Sequence, residues 1–156
     1  METKKIHIRW SRKVPIYEYE SSKYVSDVGI YMITRKWGEI SGNSRDERLL
    51  YIGKTIDSFR NRLASHTEDW TFNLRGNVYV RFGIIENIKN IDDNLLEDIE
   101  SVLICHEQPE ENTMKRKGYT FKTNYLPHIF NHGCGKVIDS EIDARDQVDW
   151  STIMVP

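Results

Sequence analysis

Two short β-type runs, Val28 to Arg35 and Leu49 to Gly53, constrain this chain more than any other feature. Both are rich in β-branched and aromatic residues. The stretch between them, residues 36–48, is polar and carries Gly38, Gly42, Asn43 and Ser44. That pattern predicts two antiparallel strands joined by a long hairpin connection. Side chains alternate across a strand. Val28, Ile30 and Met32 therefore share one face and Gly29, Tyr31 and Ile33 the other; in the second run Leu50 and Ile52 oppose Leu49, Tyr51 and Gly53. With the apolar sets facing one core, Tyr31 and Tyr51 emerge together on the same face.

A helix is expected next, from Ser58 to about His66, with Asp57 as its N-cap. Phe59 and Leu63 form its apolar seam, and Arg62 and His66, also four apart, share one flank. Lys54 and Thr55 fall in the turn before it, near a helix N-terminus that favours anions. Asn77 to Glu86 reads as another apolar strand, and Ile91 to about His106 as a helix with Leu95, Ile99, Val102, Leu103 and His106 on one face. Glu100 lies at the margin of that face, while Glu97, Asp98 and Glu107 point elsewhere. It is the carboxylate best placed to be half-buried beside the sheet. Pro109 ends the helix and Asn112 follows in the turn.

The flanks are less regular. Residues 1–27 read as a basic, partly extended arm with Trp10, Tyr17, Tyr19 and Tyr24, and Pro15 argues against a continuous central strand there. Such aromatics either stack on bases or lay the segment onto the core. From residue 113 the chain looks β-rich, with segments at 118–122, 126–131 and 135–138, and an acidic tail anchored by Trp150. A chain of 156 residues fits a single domain, residues 1–156. No apolar run approaches the roughly 20 residues of a membrane span, and no apolar region follows the basic N-terminus. Cys105 and Cys134 make no disulfide framework, so a cytoplasmic setting is expected.

The net charge of −2 argues against a simple nucleic-acid-coating protein. Its distribution says more. Residues 1–13 hold five basic residues against one acid, residues 87–112 one against eight, and residues 113–125 four against none. An acidic helix between two basic segments suits a protein that holds a polyanion and a cation together, or simply a solvated helix face between basic loops.

Taken in order, Gly29-Ile30-Tyr31, Tyr51-Ile52-Gly53-Lys54-Thr55, the Arg62-x-x-x-His66 pair, Glu100 and Asn112 twelve residues later resemble the GIY-YIG nuclease superfamily. The resemblance covers residues 28–112, and only the gap from Tyr31 to Tyr51 is longer than in compact members. It implies a mixed α/β (α+β) fold, a three-stranded antiparallel sheet flanked by helices; residues 113–156 lie outside the resemblance and read as a β-rich C-terminal extension. It also implies an endonuclease with one divalent metal, Mg²⁺ or Mn²⁺, held by Glu100.

Phosphodiester hydrolysis needs an aligned water, neutralised phosphate charge and a stabilised leaving oxygen. In that scheme Tyr51 is the general base, helped by Lys54, the arginine or a metal-bound water because a free phenol titrates near 10. Arg62 clamps a phosphate oxygen. Tyr31 orients water or phosphate and can exchange roles with Tyr51, and His66 and Asn112 are supporting residues. Lys54, Arg62, Lys115, Arg116 and Lys117 are the expected nucleic-acid contacts. DNA is the expected substrate in preference to RNA, cut by a restriction-type or mobile-element enzyme, as a homodimer or by two nicks. The alternative is a nucleic-acid-binding module that kept the scaffold and lost turnover. A separate metal reading, structural zinc on Cys105, His106, His128, His132 and Cys134, lacks a Cys-x-x-Cys partner.

Overall fold

A computed structural model describes residues 2–37, 47–66 and 74–147. Most of the predicted hairpin connection (38–46) and Trp150 lie outside the described residues. The fold is mixed α/β and rich in strands. The strands are β1 (Glu2–Trp10), β2 (Val14–Pro15), β3 (Gly29–Lys36), β4 (Glu47–Thr55), β5 (Asn77–Ile85), β6 (Tyr125–His132) and β7 (Glu141–Asp143). Among the described residues two α-helices interrupt them, α1 (Phe59–Ala64) and α2 (Asp93–Glu107), with short 3₁₀ segments at Ile16–Ser21 and Ala144–Gln147. The strands form one sheet in the order β4-β3-β5-β1-β6-β7, with β2 alongside β5. Within it β4, β3 and β5 run antiparallel, and β1 and β6 run parallel.

The segment read as a basic arm is in part a central strand. Its Ile6, Ile8 and Trp10 are buried at period two, while Lys5 and Arg9 stay exposed on the other face. Trp10 fixes the far end, donating from Nε1 to Asn131 Oδ1 at 2.9 Å. Pro15 sits in the two-residue β2, where the missing N–H is tolerated. In the C-terminal part β6 falls where expected, but residues 118–122 and 135–138 are not strands, and the last described strand is β7.

Both faces of the β4-β3-β5 portion are covered. On one, α2 packs Leu95, Leu96, Ile99, Val102, Leu103 and Ile104 against Ile6, Ile8, Ile30, Met32 and Ile52. Each fully buried aliphatic side chain contributes roughly 1.5–3 kcal/mol, so this seam is the main attachment of α2. On the other, Phe59 and Leu63 of α1, together with Ile16, Tyr19 and Val25, close over Tyr31, Ile33, Leu50, Val80 and Phe82. The tyrosine face is thus a second core. A β-bulge between Ile33 and Thr34 also breaks the expected alternation, since Ile33 pairs with Tyr51 and Thr34 with Leu49. Leu50 therefore joins the tyrosine side and Leu49 the α2 side.

Local chemistry sets the helix ends. Ser58, not Asp57, caps α1, its hydroxyl accepting from Asn61 N at 3.1 Å. Asp92 caps α2 through Leu95 N at 2.8 Å, and Gln108 closes it in a left-handed conformation. Asp98 is fully buried and accepts from Lys122 N, Thr123 N and the Thr123 hydroxyl, tying the loop before β6 to α2. Across β3, β4 and β5, Glu47 takes two hydrogen bonds from Arg81 at 2.7 and 3.1 Å and one from Thr34 at 2.7 Å. Burial alone raises the Glu47 carboxyl, but the Arg81 and Thr34 hydrogen bonds and the Arg81 and Lys13 charges pull it down to about 2.

Candidate active site

The two glycines of the tyrosine-bearing strands have separate physical reasons. Gly29 sits at φ +150°, and a Cβ there would lie 2.2 Å from the Gly83 carbonyl oxygen. Only glycine allows this approach of β3 to β5. Gly53 pairs with Tyr31 across β3 and β4, and the Tyr31 ring lies over the bare glycine; a Cβ would meet its Cζ and Oη at 2.3 Å. The missing side chain makes the slot that holds the first tyrosine.

Four of the residues singled out in the sequence converge beside that slot. The rings of Tyr31 and Tyr51 are 6.1 Å apart, and His66 packs edge-on to both at 6.1 and 5.9 Å. Tyr31 Oη and His66 Nε2 are hydrogen-bonded at 3.0 Å. The half-buried Arg62 guanidinium interacts with both phenols by charge and hydrogen bonding. Helix α1 stops at Ala64, so His66 reaches the cluster from the turn after it, its N–H bonded to Leu63 O at 2.9 Å.

The two tyrosines are not equivalent. Tyr31 is fully buried, and desolvation drives its phenol far above the ordinary value, with the Tyr51 and Glu100 charges adding to the effect and Arg62 opposing it. It can position its neighbours but is poorly suited to take a proton. Tyr51 is half-buried and keeps a solvent-facing side.

The remaining predicted residues sit on β4, on α2 and in the turn after it. Lys54 pairs with Ile30, so it projects to the α2 side of β4, away from the tyrosines. There it bonds Asp93 Oδ1 at 2.6 Å and Glu97 Oε2 at 3.2 Å instead of meeting an anion at the α1 N-terminus. Asn112 is buried and bridges the backbone of one residue, accepting from Ile52 N at 2.9 Å and donating to Ile52 O at 3.0 Å. Glu111 N bonds Leu50 O beside it, so residues 111–112 extend the outer edge of β4. Asn112 acts by holding the strand between Tyr51 and Gly53.

Glu100 is half-buried on α2, as its helical position predicts, with a side chain 12% exposed. Burial raises its carboxyl, and the Lys115 hydrogen bond and charge offset part of that rise. Its charge extends to the Tyr31 phenol. Lys115, predicted as a nucleic-acid contact, instead turns inward to Glu100 Oε1 and Glu97 Oε1, both at 2.7 Å. This inward turn leaves no mark in the sequence, because it depends on a left-handed residue (φ +68°) that is not glycine. Arg116 and Lys117 line an adjacent cleft of about 520 Å³ with Gln108, Asn112 and Thr113.

The zinc reading is not supported by the geometry. His128 pairs with Glu141 at 2.7 Å, His132 with His7 at 2.9 Å, and the Cys134 thiol is buried against the Gly135 and Ile138 carbonyls. Among the described residues, the group whose ligand atoms lie within 4.8 Å of one another is His106, Glu107 and Asp139. His106 Nε2 and Asp139 Oδ2 there are hydrogen-bonded at 2.7 Å, and Glu107 accepts from Asp139 N.

No family model, curated protein or solved structure matches this chain.

Proposed function

We propose that this chain is a divalent-metal-dependent endonuclease of the GIY-YIG type that hydrolyses DNA phosphodiester bonds. The observation that carries the reading is the cluster of Tyr31, Tyr51, Arg62 and His66 on one sheet face, with Arg62 against both phenols. Tyr51, the more open phenol, gives its own proton to solvent and, as the phenolate, takes the proton of the attacking water. Arg62 holds that phenol's oxygen and offers its outer N–H groups to a non-bridging phosphate oxygen. Tyr31 and His66, bonded to each other, fix the geometry from below.

Glu100 fits a hard cation. Its carboxylate is largely desolvated beside Glu97, and the Lys115 ammonium already stands as a cation between the two. A bound Mg²⁺ or Mn²⁺ supplies charge for the leaving oxygen. The basic cleft at Arg116 and Lys117 receives the strand beyond the cut.

A second reading, a nucleic-acid-binding module without turnover, draws on the engagement of Glu100 by Lys115. One assay separates them. Supercoiled plasmid incubated with Mg²⁺ or Mn²⁺ is nicked by the wild-type chain, and Tyr51→Phe, Arg62→Ala and Glu100→Ala each lower the rate about a hundredfold or more. Equal nicking by these variants refutes the mechanism, and salt-sensitive binding without nicking supports the second reading.

A further inference from the structure

We infer that Lys115 is an internal counter-ion that competes with the divalent metal for Glu100, so that metal binding must expel it. The inference rests on the assignment of Glu100 as metal ligand, and three structural observations carry it.

The first is occupancy. The Lys115 ammonium is 2.7 Å from Glu100 Oε1, whereas Mg²⁺ or Mn²⁺ takes a carboxylate oxygen at about 2.1 Å. An ammonium and a divalent ion sharing that oxygen would stand only about 4 Å apart, strongly repelling like charges around a side chain that is 12% exposed. The second is enclosure. The Lys115 side chain is 15% exposed, and its second partner, Glu97, is itself shared with Lys54. The series Asp93, Lys54, Glu97, Lys115, Glu100 alternates in charge along the face of α2 and ends at the ligand. The third is the backbone. Lys115 lies at φ +68°, where a side chain with a Cβ is disfavoured, and in that conformation it reaches both carboxylates. Lys115 itself borders the cleft lined by Gln108, Glu110, Asn112 and Arg116, which has room for the displaced side chain.

The burial of Glu100 favours the exchange. The Glu100 side chain is 12% exposed and has little water to share its charge, so a doubly charged ion is a better partner than one ammonium. Without the metal, Lys115 keeps the buried carboxylate compensated.

The test is Mn²⁺ binding measured by calorimetry and by the electron-spin resonance of free Mn²⁺, at fixed salt and pH. Lys115→Met binds Mn²⁺ about tenfold or more tightly than wild type, the scale of a close charge pair. Lys115→Gly, which suits the positive φ, does the same. Lys54→Met changes the net charge equally and also borders Glu97, yet does not touch Glu100. It shifts the affinity much less. Saturating Mn²⁺ raises amide exchange at residues 113–118 of the wild-type chain. Equal affinities for Lys115→Met and Lys54→Met, or no Mn²⁺ binding by any of these proteins, overturn the inference. If wild type binds Mn²⁺, Glu100→Ala does not, and Lys115→Met matches wild type, the metal assignment stands and the competition alone fails.

Discussion

Gly53→Ala tests the slot beneath Tyr31 most directly. The added Cβ would lie 2.3 Å from Cζ and Oη of Tyr31 and 2.7 Å from Cε1, so the ring must move by about 1 Å to restore ordinary contact. It has little room. The side chain is fully buried, Phe59 meets it edge-on at 6.4 Å between centroids, and its hydroxyl is held by His66. Strand β4 cannot retreat either, because Asn112 grips the Ile52 backbone from the outer side. Overpacking of this kind costs about 1–3 kcal/mol. Loss of the Tyr31–His66 bond adds about 1 kcal/mol. The expected total of about 2–4 kcal/mol lowers the Tm by roughly 5–15 °C for a chain of this size.

Thermal and urea unfolding of four proteins complete the cycle: wild type, Gly53→Ala, Tyr31→Leu and the double variant. Leucine lacks the three atoms that clash, so Gly53→Ala becomes almost neutral in the Tyr31→Leu background. The coupling between the two sites is then about 1.5 kcal/mol or more. A Tm for Gly53→Ala within about 2 °C of wild type refutes the reasoning. So does the same cost in both backgrounds.

Other outcomes follow from the same geometry. Glu47 titrates at about 2 in the folded chain, below the usual carboxylate value, so its contribution is complete above about pH 4.5 and is lost as pH falls toward 2. Glu47→Gln strands the buried Arg81 and costs about 3–5 kcal/mol at neutral pH, and its acid unfolding is correspondingly flatter over that window; a parallel acid curve contradicts the assignment. Tyr51→Phe loses cleavage with little change in Tm, whereas Tyr31→Phe loses the His66 bond and about 1 kcal/mol of stability while keeping more of the rate; the reverse pattern exchanges their roles. Asn112→Ala leaves Ile52 N–H and C=O unpaired and costs about 2–4 kcal/mol, with cleavage restored at a lower assay temperature. Lost activity at unchanged Tm would place Asn112 on the substrate instead.

The shared face of Tyr31 and Tyr51 was legible because period-two alternation carries it, and the helix-margin position of Glu100 because the 3.6 period does. The bulge was not, since Leu49 and Leu50 are both apolar and leave no mark of a phase change. The central position of β1 was half-visible. Ile6, Ile8 and Trp10 alternate cleanly, but Lys4, Lys5, Arg9 and Arg12 around them read as a solvated arm. Nothing local distinguishes a strand whose polar face is open from an arm that contacts a polyanion. Lys115 was legible as a charge and illegible as a direction, because its partners sit on α2 and its φ is set by tertiary contacts. Asp98 shows the same limit: its burial depends on the donors of residues 122–123.

The parallel pairing of β1 with β6 has a consequence for how the chain comes to be folded. Glu2 pairs with Tyr125 and Arg9 with His132, and the Trp10–Asn131 hydrogen bond joins residues 121 positions apart. During synthesis β1 precedes both of its partners, β5 and β6, and cannot be fully paired until β6 is made. The hairpin of β3 and β4, and then β5, can assemble while one edge of β1 still waits for β6 to leave the ribosome. That waiting edge is an open template for pairing with another chain. Closing so distant a pair places folding toward the slow end for small domains, on the order of milliseconds to seconds. A chain truncated before residue 125, which lacks β6, should therefore aggregate under conditions where the full chain stays in the supernatant.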